Sequence, residues 1–300
     1  LVEITRIDTL PGSVADRTVG DRIDPNNGLT IFVRPEGATA ARQYQVQFVR
    51  DNSLATLMAM ATEQSCTPFA RLDSPPLFLE NNTWNVGGLS GDFEQCIYTN
   101  ANTDGPRMGW TWEFPLEESD GVLSYPEIIF GWKPFMRESS TIALPQRLDL
   151  IERLNVTYDV ETYTVGDGLN LAFDMWLIDG DVAALDTIRY EVMVWEYRPG
   201  GLVPFGDLVA TLRTADGRYS LYRGDPDWEP DGAQWIYLAL VRDEPRLAGT
   251  VDIALMLEAL INEGYVDDSL YLSSIGFGNE IGASSGYTVV HDYVIDLGVR

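Results

Sequence analysis

Apolar and polar side chains alternate with a period of two in most of ten strand-like stretches after residue 66: 77–84, 108–114, 127–132, 154–160, 169–178, 190–197, 208–214, 235–242, 270–277 and 287–297. Alternation sends successive side chains to opposite faces of a strand, so each stretch predicts a strand with one buried and one open face. Strands arriving at short intervals argue for two stacked antiparallel sheets rather than a parallel α/β fold. The fold class expected is all-β: a concave two-sheet antiparallel β-sandwich of jelly-roll type. Residues 250–264 break the pattern, with apolar positions three and four apart, Thr250 able to cap the start, Asp252 in the first turn and Gly264 at the end. That spacing predicts a single helix, expected to pack on the outer, convex side.

Three stretches put chemistry on their open faces. In 190–197, Glu191, Met193 and Trp195 share one face while Val192 and Val194 share the other. A carboxylate, a thioether and an indole thus stand in a row, as a sugar-binding groove with a catalytic acid would have them. In 170–177, Asp174 and Trp176 share a face and Leu171, Phe173, Met175 and Leu177 form the buried one. Asp174 precedes Glu191 by a hairpin-like interval that would bring the two carboxyl groups side by side, where each tunes the other's ionisation. In 77–84, Phe78, Glu80, Asn82 and Trp84 fall on one face. A third acid, Glu280, lies among small residues in Ile275-Gly276-Phe277-Gly278-Asn279-Glu280-Ile281-Gly282, with room around its carboxyl group. Taken singly, each of these acids is more often a solvated surface group than a catalytic one.

Before residue 66 the texture differs. Strands are expected at 1–7, 29–34 and 44–49, separated by Leu10-Pro11-Gly12, by Asp24-Pro25-Asn26-Asn27-Gly28 and by Pro35-Glu36-Gly37. The stretch resembles the small immunoglobulin-like β-sandwich modules appended to secreted enzymes. The organisation expected is an accessory module over 1–65 and a larger domain over 66–300.

Composition then narrows the chemistry. The 46 acidic residues outnumber 20 basic ones, for a formal charge of −26. Such a surface repels phosphate backbones and anionic membranes, so neither nucleic acid nor membrane is an expected partner. No run approaches the roughly 20 apolar residues of a membrane helix. Lys133 is the sole lysine and His291 the sole histidine. A single histidine removes most support for Ser-His-Asp or Cys-His catalysis and for multi-His metal centres, so in an enzyme carboxylates must carry the proton transfers. The two cysteines, Cys66 and Cys96, suggest one disulfide.

Read in order, these motifs resemble glycoside hydrolase family 12, the retaining endoglucanases. Asn81-Asn82-Thr83-Trp84 followed by Gln95-Cys96 is similar to that family's Asn-Asn-x-Trp strand and nearby cysteine; Tyr125-Pro126-Glu127-Ile128-Ile129-Phe130-Gly131 is similar to its Tyr-Pro-x-Ile-x-x-Gly strand. Phe173-Asp174-Met175-Trp176 resembles Tyr-Asp-x-Trp, Glu191-Val192-Met193-Val194-Trp195 resembles the Glu-x-Met-x-Trp nucleophile strand, and Gly278-Asn279-Glu280 stands where the acid/base lies. The resemblance implies a Cys66–Cys96 disulfide, Glu191 as nucleophile, Glu280 as general acid/base and Asp174 as the residue holding Glu191. It implies substrate contacts from Asn82, Trp84, Trp176, Met193 and Trp195, with Trp84 stacking on a glucose unit. The implied substrate is a β-glucan, whether cellulose, mixed-linkage glucan or xyloglucan, cut by a secreted monomer that needs no metal or organic cofactor. Glu196 after Trp195, Asn85 after Trp84 and the loop Ile281-Gly282-Ala283-Ser284-Ser285 depart from the pattern and bear on subsite shape. The rival readings are a non-catalytic carbohydrate-binding protein and a structural β-sandwich; the first needs no facing acids and the second no groove tryptophans.

Overall fold

The computed structural model describes residues 61–100, 108–116, 121–134, 136, 138–166, 168–225 and 235–300, together with the backbone of 29–33 and 42–46. The chain divides into two units, Leu1–Asp51 and Asn52–Arg300. In the first, β1 (Leu29–Val33) pairs antiparallel with β2 (Arg42–Val46). The strand expected at 1–7 and the turns around residues 10–12, 24–28 and 35–37 lie outside the described residues.

The second unit is a sandwich of two sheets. One is six-stranded, in the order β16 (Ala248–Asp252), β10 (Ile151–Gly166), β18 (Ser284–Val299), β7 (Met108–Glu113), β6 (Glu94–Thr99) and β3 (Glu63–Ser65). The other is ten-stranded. Its order is β13 (Asp207–Thr214), β14 (Gly217–Gly224), β15 (Ile236–Arg242), β12 (Ile188–Tyr197), β11 (Leu171–Ile178), β17 (Tyr271–Gly278), β8 (Glu127–Gly131), β5 (Leu77–Glu80) and β4 (Arg71–Ser74), with β9 (Gln146–Arg147) also on β17. Pairing is antiparallel throughout except between β12 and β15, which run parallel. The β13–β14 hairpin lies outside β15 and is itself antiparallel to it, so the exception stays local. The disulfide joins Cys66, just beyond β3, to Cys96 in β6 and ties the edge strand to its neighbour.

The alternation read from the sequence sorts side chains between the two faces of the ten-stranded sheet. Val192 and Val194 of β12, Leu171, Phe173, Met175 and Leu177 of β11, and Ile275 and Phe277 of β17 enter the core between the sheets. There they meet Trp110, Trp112, Tyr158 and Val160 of the six-stranded sheet. Each such side chain taken fully out of water contributes about 1.5–3 kcal/mol, enough to hold the register firmly, since a one-residue slip would turn the whole row outward.

The helix α1 (Ile253–Asn262) begins later than its periodicity suggests. Thr250 belongs to β16 and pairs with Thr157, so the cap falls to Asp252, whose carboxylate accepts from the Leu255 N–H. Its buried residues Ile253, Met256, Leu257 and Leu260 join the inter-sheet core. The helix therefore closes the sandwich from the side of β10 and β13 rather than lying on an outer face.

Candidate active site

On the open face of the ten-stranded sheet a second apolar layer forms, separate from the core: Tyr125, Ala172, Met193, Trp195, Tyr237, Ala239 and Val241. It is the floor on which the acids stand. Register sets Trp176 directly opposite Glu191, and Asp174 opposite Met193, so the two acids lie diagonally across the β11–β12 pair rather than face to face. Glu191 Oε2 accepts a hydrogen bond from Trp235 Nε1 at 2.9 Å, and Trp235 packs edge-on against Trp176. Asp174 Oδ2 accepts from Trp176 Nε1 at 2.9 Å, while Oδ1 has no hydrogen-bond partner. No hydrogen bond links Asp174 to Glu191 among those described; Asp174 acts on it through its charge. Burial pushes the Glu191 carboxyl well above its ordinary range, the charge of Asp174 and that of Glu280 push the same way, and the Trp235 N–H and Lys133 oppose them.

Glu280 stands just beyond the end of β17, held by a double clasp. The Asn170 side-chain amide donates to Glu280 Oε2, and the Glu280 backbone N–H donates to Asn170 Oδ1 at 2.8 Å. Asn279 beneath is buried, accepting from Trp110 Nε1 and Thr288 Oγ1, both at 2.7 Å, and donating to the Asn170 carbonyl. Core indole and strand-end acid are thereby coupled through one amide. Burial raises the Glu280 carboxyl to about 7, with the Asn170 amide holding it down and the charge of Asp174 adding to the rise. A carboxyl group so placed is protonated at mildly acidic pH and available as a general acid.

A further group of charges, not anticipated from the sequence, lies beside Asp174. Lys133 Nζ contacts Glu127 Oε1 closely and stands 3.6 Å from Asp174 Oδ2 and 5.0 Å from the Tyr125 ring centroid. Glu127 is wholly buried and also accepts from the Asn82 side-chain amide at 3.3 Å. Room for it comes from Gly276 on the neighbouring strand, where a Cβ would fall 2.4 Å from Glu127 Oε2. Two residues before Lys133, Gly131 ends β8 with a φ of +108° and lies so close to the Ser273 carbonyl that a side chain is excluded.

The sequence-derived contact residues separate sharply in this setting. Trp84 is 51% exposed, an open aromatic platform beyond the end of β5. Trp176, Met193 and Trp195 are buried in or beside the floor, and Asn82 is buried against Glu127. Trp176 is occupied in holding Asp174, and the Met193 sulfur accepts from the Tyr237 hydroxyl at 3.3 Å. Asn170, Glu127, Lys133 and Trp235 were missed. A lone Glu at the head of the otherwise apolar run Glu127-Ile128-Ile129-Phe130 was the one legible signal, since a charge is seldom buried there without a partner.

A two-sheet β-sandwich whose open face carries neighbouring carboxyl groups, one clasped by an amide and one by an indole, beside an exposed aromatic platform, defines a glycan-cleaving hydrolase. The family model of glycosyl hydrolase family 12 matches residues 75–298, and the chain belongs to that family as a glycoside hydrolase of the endoglucanase type. Among curated proteins it is similar to endoglucanase S of Pectobacterium parmentieri, 26% identical over 229 residues, covering 73% of this chain and 81% of that one. It is also similar to the xyloglucan-specific endo-β-1,4-glucanase A of Aspergillus aculeatus, 25% identical over 256 residues, covering 82% of this chain and 97% of that one. Among solved structures, a family 12 xyloglucanase from Bacillus licheniformis superposes with a TM-score of 0.71 at 24% identity, covering 79% of this chain and all (100%) of that one, a likeness of fold.

Proposed function

We propose that this endo-β-glucanase cuts internal β-1,4-glucosidic bonds with retention of configuration, by double displacement, with Glu191 as nucleophile and Glu280 as general acid and then base. The observation that carries the reading is the paired clasp. Glu191 is fixed by the Trp235 indole and Glu280 by the Asn170 amide, and the charge of Glu280 reaches the Glu191 carboxyl over one apolar floor. Retaining glycosidases hold their two carboxyl groups about 5–5.5 Å apart so that one attacks the anomeric carbon while the other protonates the leaving oxygen. Water then enters, deprotonated by Glu280, and releases the sugar from Glu191.

The two carboxyl groups need different protonation states. A value near 7 suits Glu280 to the acid role. Glu191 must be ionised when it attacks, yet its burial and the charge of Asp174 favour the proton. In this reading the Trp235 N–H and the nearby lysine supply the compensation, and Asp174 governs Glu191 through its field.

Trp84 is the stacking platform we assign to the glycone side, because a flat indole matches the apolar face of a glucose ring. The buried Met193 and Trp195 then shape the floor under the scissile sugar. The substrate we infer is a β-glucan of the cellulose, mixed-linkage or xyloglucan type. The similar proteins support this as a group, since one is called an endoglucanase and another xyloglucan-specific. Action outside the cell accords with the Cys66–Cys96 disulfide.

The test is release of reducing ends from barley β-glucan, carboxymethyl-cellulose and xyloglucan by the wild type and by Glu191→Gln, at low and high salt. Activity on at least one polymer that disappears in the variant supports the assignment. Equal activity in both proteins would move the nucleophile elsewhere.

A further inference from the structure

Five carboxyl groups gather on this face, Glu80 on β5, Glu127 on β8, Asp174 on β11, Glu191 on β12 and Glu280 beyond β17, and Lys133 lowers the proton affinity of every one. Arg71 on β4 acts at the far end, on Glu80. The remaining ionisable neighbours among the described residues are phenols: Tyr125, against the Lys133 ammonium, Tyr237 of β15, which senses Glu280, Glu191 and Asp174, and Tyr293 of β18, which senses Glu127.

We propose that Lys133 is a positioning residue for the reaction: anchored on Glu127, it sets its ammonium against Asp174 and so supplies the positive charge that keeps the Asp174–Glu191 pair in its working ionisation. The inference rests on the nucleophile assignment above and goes beyond it. Three observations carry it. The ammonium is buried beside two carboxylates, although Glu127 alone would neutralise it. The backbone around it leaves room only for glycine, at Gly131 with its positive φ two residues before Lys133 and at Gly276 against the Glu127 carboxyl. Asp174 gives its other oxygen no hydrogen-bond donor, so charge rather than a bond to Glu191 is what it has to offer.

A buried pair of this kind is weak evidence for a stabilising role, because the cost of removing both charges from water offsets most of their attraction. Its effect on neighbouring titrations is direct. A cation a few ångströms away favours the ionised carboxylate. Removing Lys133 therefore raises the proton affinity of Glu191 and leaves less of the nucleophile ionised on the acid side. Removing Glu127 instead frees the ammonium to act wholly on Asp174, which weakens the negative field at Glu191 and lowers its proton affinity. The two changes should move the acid limb of the pH profile in opposite directions, which loss of packing alone would not do.

The experiment is the pH dependence of kcat/KM on soluble barley β-glucan for the wild type, Lys133→Met, Lys133→Arg and Glu127→Gln, with Glu191→Gln as control and far-ultraviolet circular dichroism as the check on folding. Lys133→Met is expected to shift the acid limb upward by about one pH unit and to lower kcat about tenfold, with KM little changed. Lys133→Arg should keep the limb near its wild-type place and Glu127→Gln should move it downward. Folded Lys133→Met with an unmoved acid limb overturns the proposal. If Lys133→Met does not fold, an acid limb that stays in place or rises in Glu127→Gln overturns it equally. Full activity in Glu191→Gln would instead overturn the nucleophile assignment, a separate failure.

Discussion

At Glu280 the surroundings translate into a pH prediction with a definite sign. The group works as an acid while protonated, so activity is expected to fall as pH rises through about 7. The Asn170 amide lowers that value by hydrogen-bonding the ionised form. Asn170→Ala should therefore move the basic limb of the profile to higher pH while reducing kcat, because the carboxyl also loses its orientation; a basic limb shifted downward would contradict the assignment. Glu280→Gln is expected to lower kcat about 10²–10⁴-fold. Gly276→Ala tests the slot: its methyl would lie 2.4 Å from Glu127 Oε2, so the carboxylate must leave its place, and kcat should drop in a protein that still binds glucan in affinity gels.

Among the elements, the ends are where sequence and structure part. Thr250 looks like a helix cap but is held in β16, its hydroxyl 2.8 Å from that of Thr157 on the next strand, and Asp252 takes the cap. Asp252→Ala should cost about 1 kcal/mol, measured by urea denaturation, and Thr250→Ala much less. The disulfide closes a loop of sequence separation 30, for which chain entropy gives roughly 3–4 kcal/mol; reducing it should lower the melting temperature by several degrees. Strands such as β11 and β12 were legible because their alternation records two environments, the inter-sheet core on one side and the site floor with its acids on the other. The strand β14 was not, since its alternation is short: Tyr219 and Leu221 are buried, Ser220 and Tyr222 between and beside them are half-buried, and a glycine closes each end. For the site, Glu191, Asp174 and Glu280 could be named from strand faces and family motifs. Asn170 falls at the start of an alternating stretch and Lys133 just after one, and their roles depend on contacts 110 and 6 residues away that alternation does not encode.

Over the whole molecule, the buried acids and the surface acids act in the same direction. A carboxyl raised on folding, as Glu280 is from 4.5 to about 7, binds more protons in the folded than in the unfolded state across that interval. Stability is then full below about 4.5 and declines as pH rises toward 7, a contribution shared in sign by Glu191. Repulsion from a net charge of −26 adds to it at neutral pH and is screened by salt, whose Debye length falls from about 30 Å at 0.01 M to about 3 Å at 1 M. The melting temperature is expected to be higher at pH 5 than at pH 8, with the gap narrowing in 1 M sodium chloride; a melting point that rises with pH would show that folding favours the ionised forms of Glu280 and Glu191 instead.

The central claim is attack by a carboxylate at the anomeric carbon, and proton magnetic resonance of the first product during hydrolysis of a soluble β-glucan oligosaccharide reads it directly. Double displacement predicts that the β-anomer appears first and the α-anomer only later, by mutarotation, with no signal from Glu191→Gln. Initial release of the α-anomer would mean a single inverting displacement and would contradict Glu191 as nucleophile.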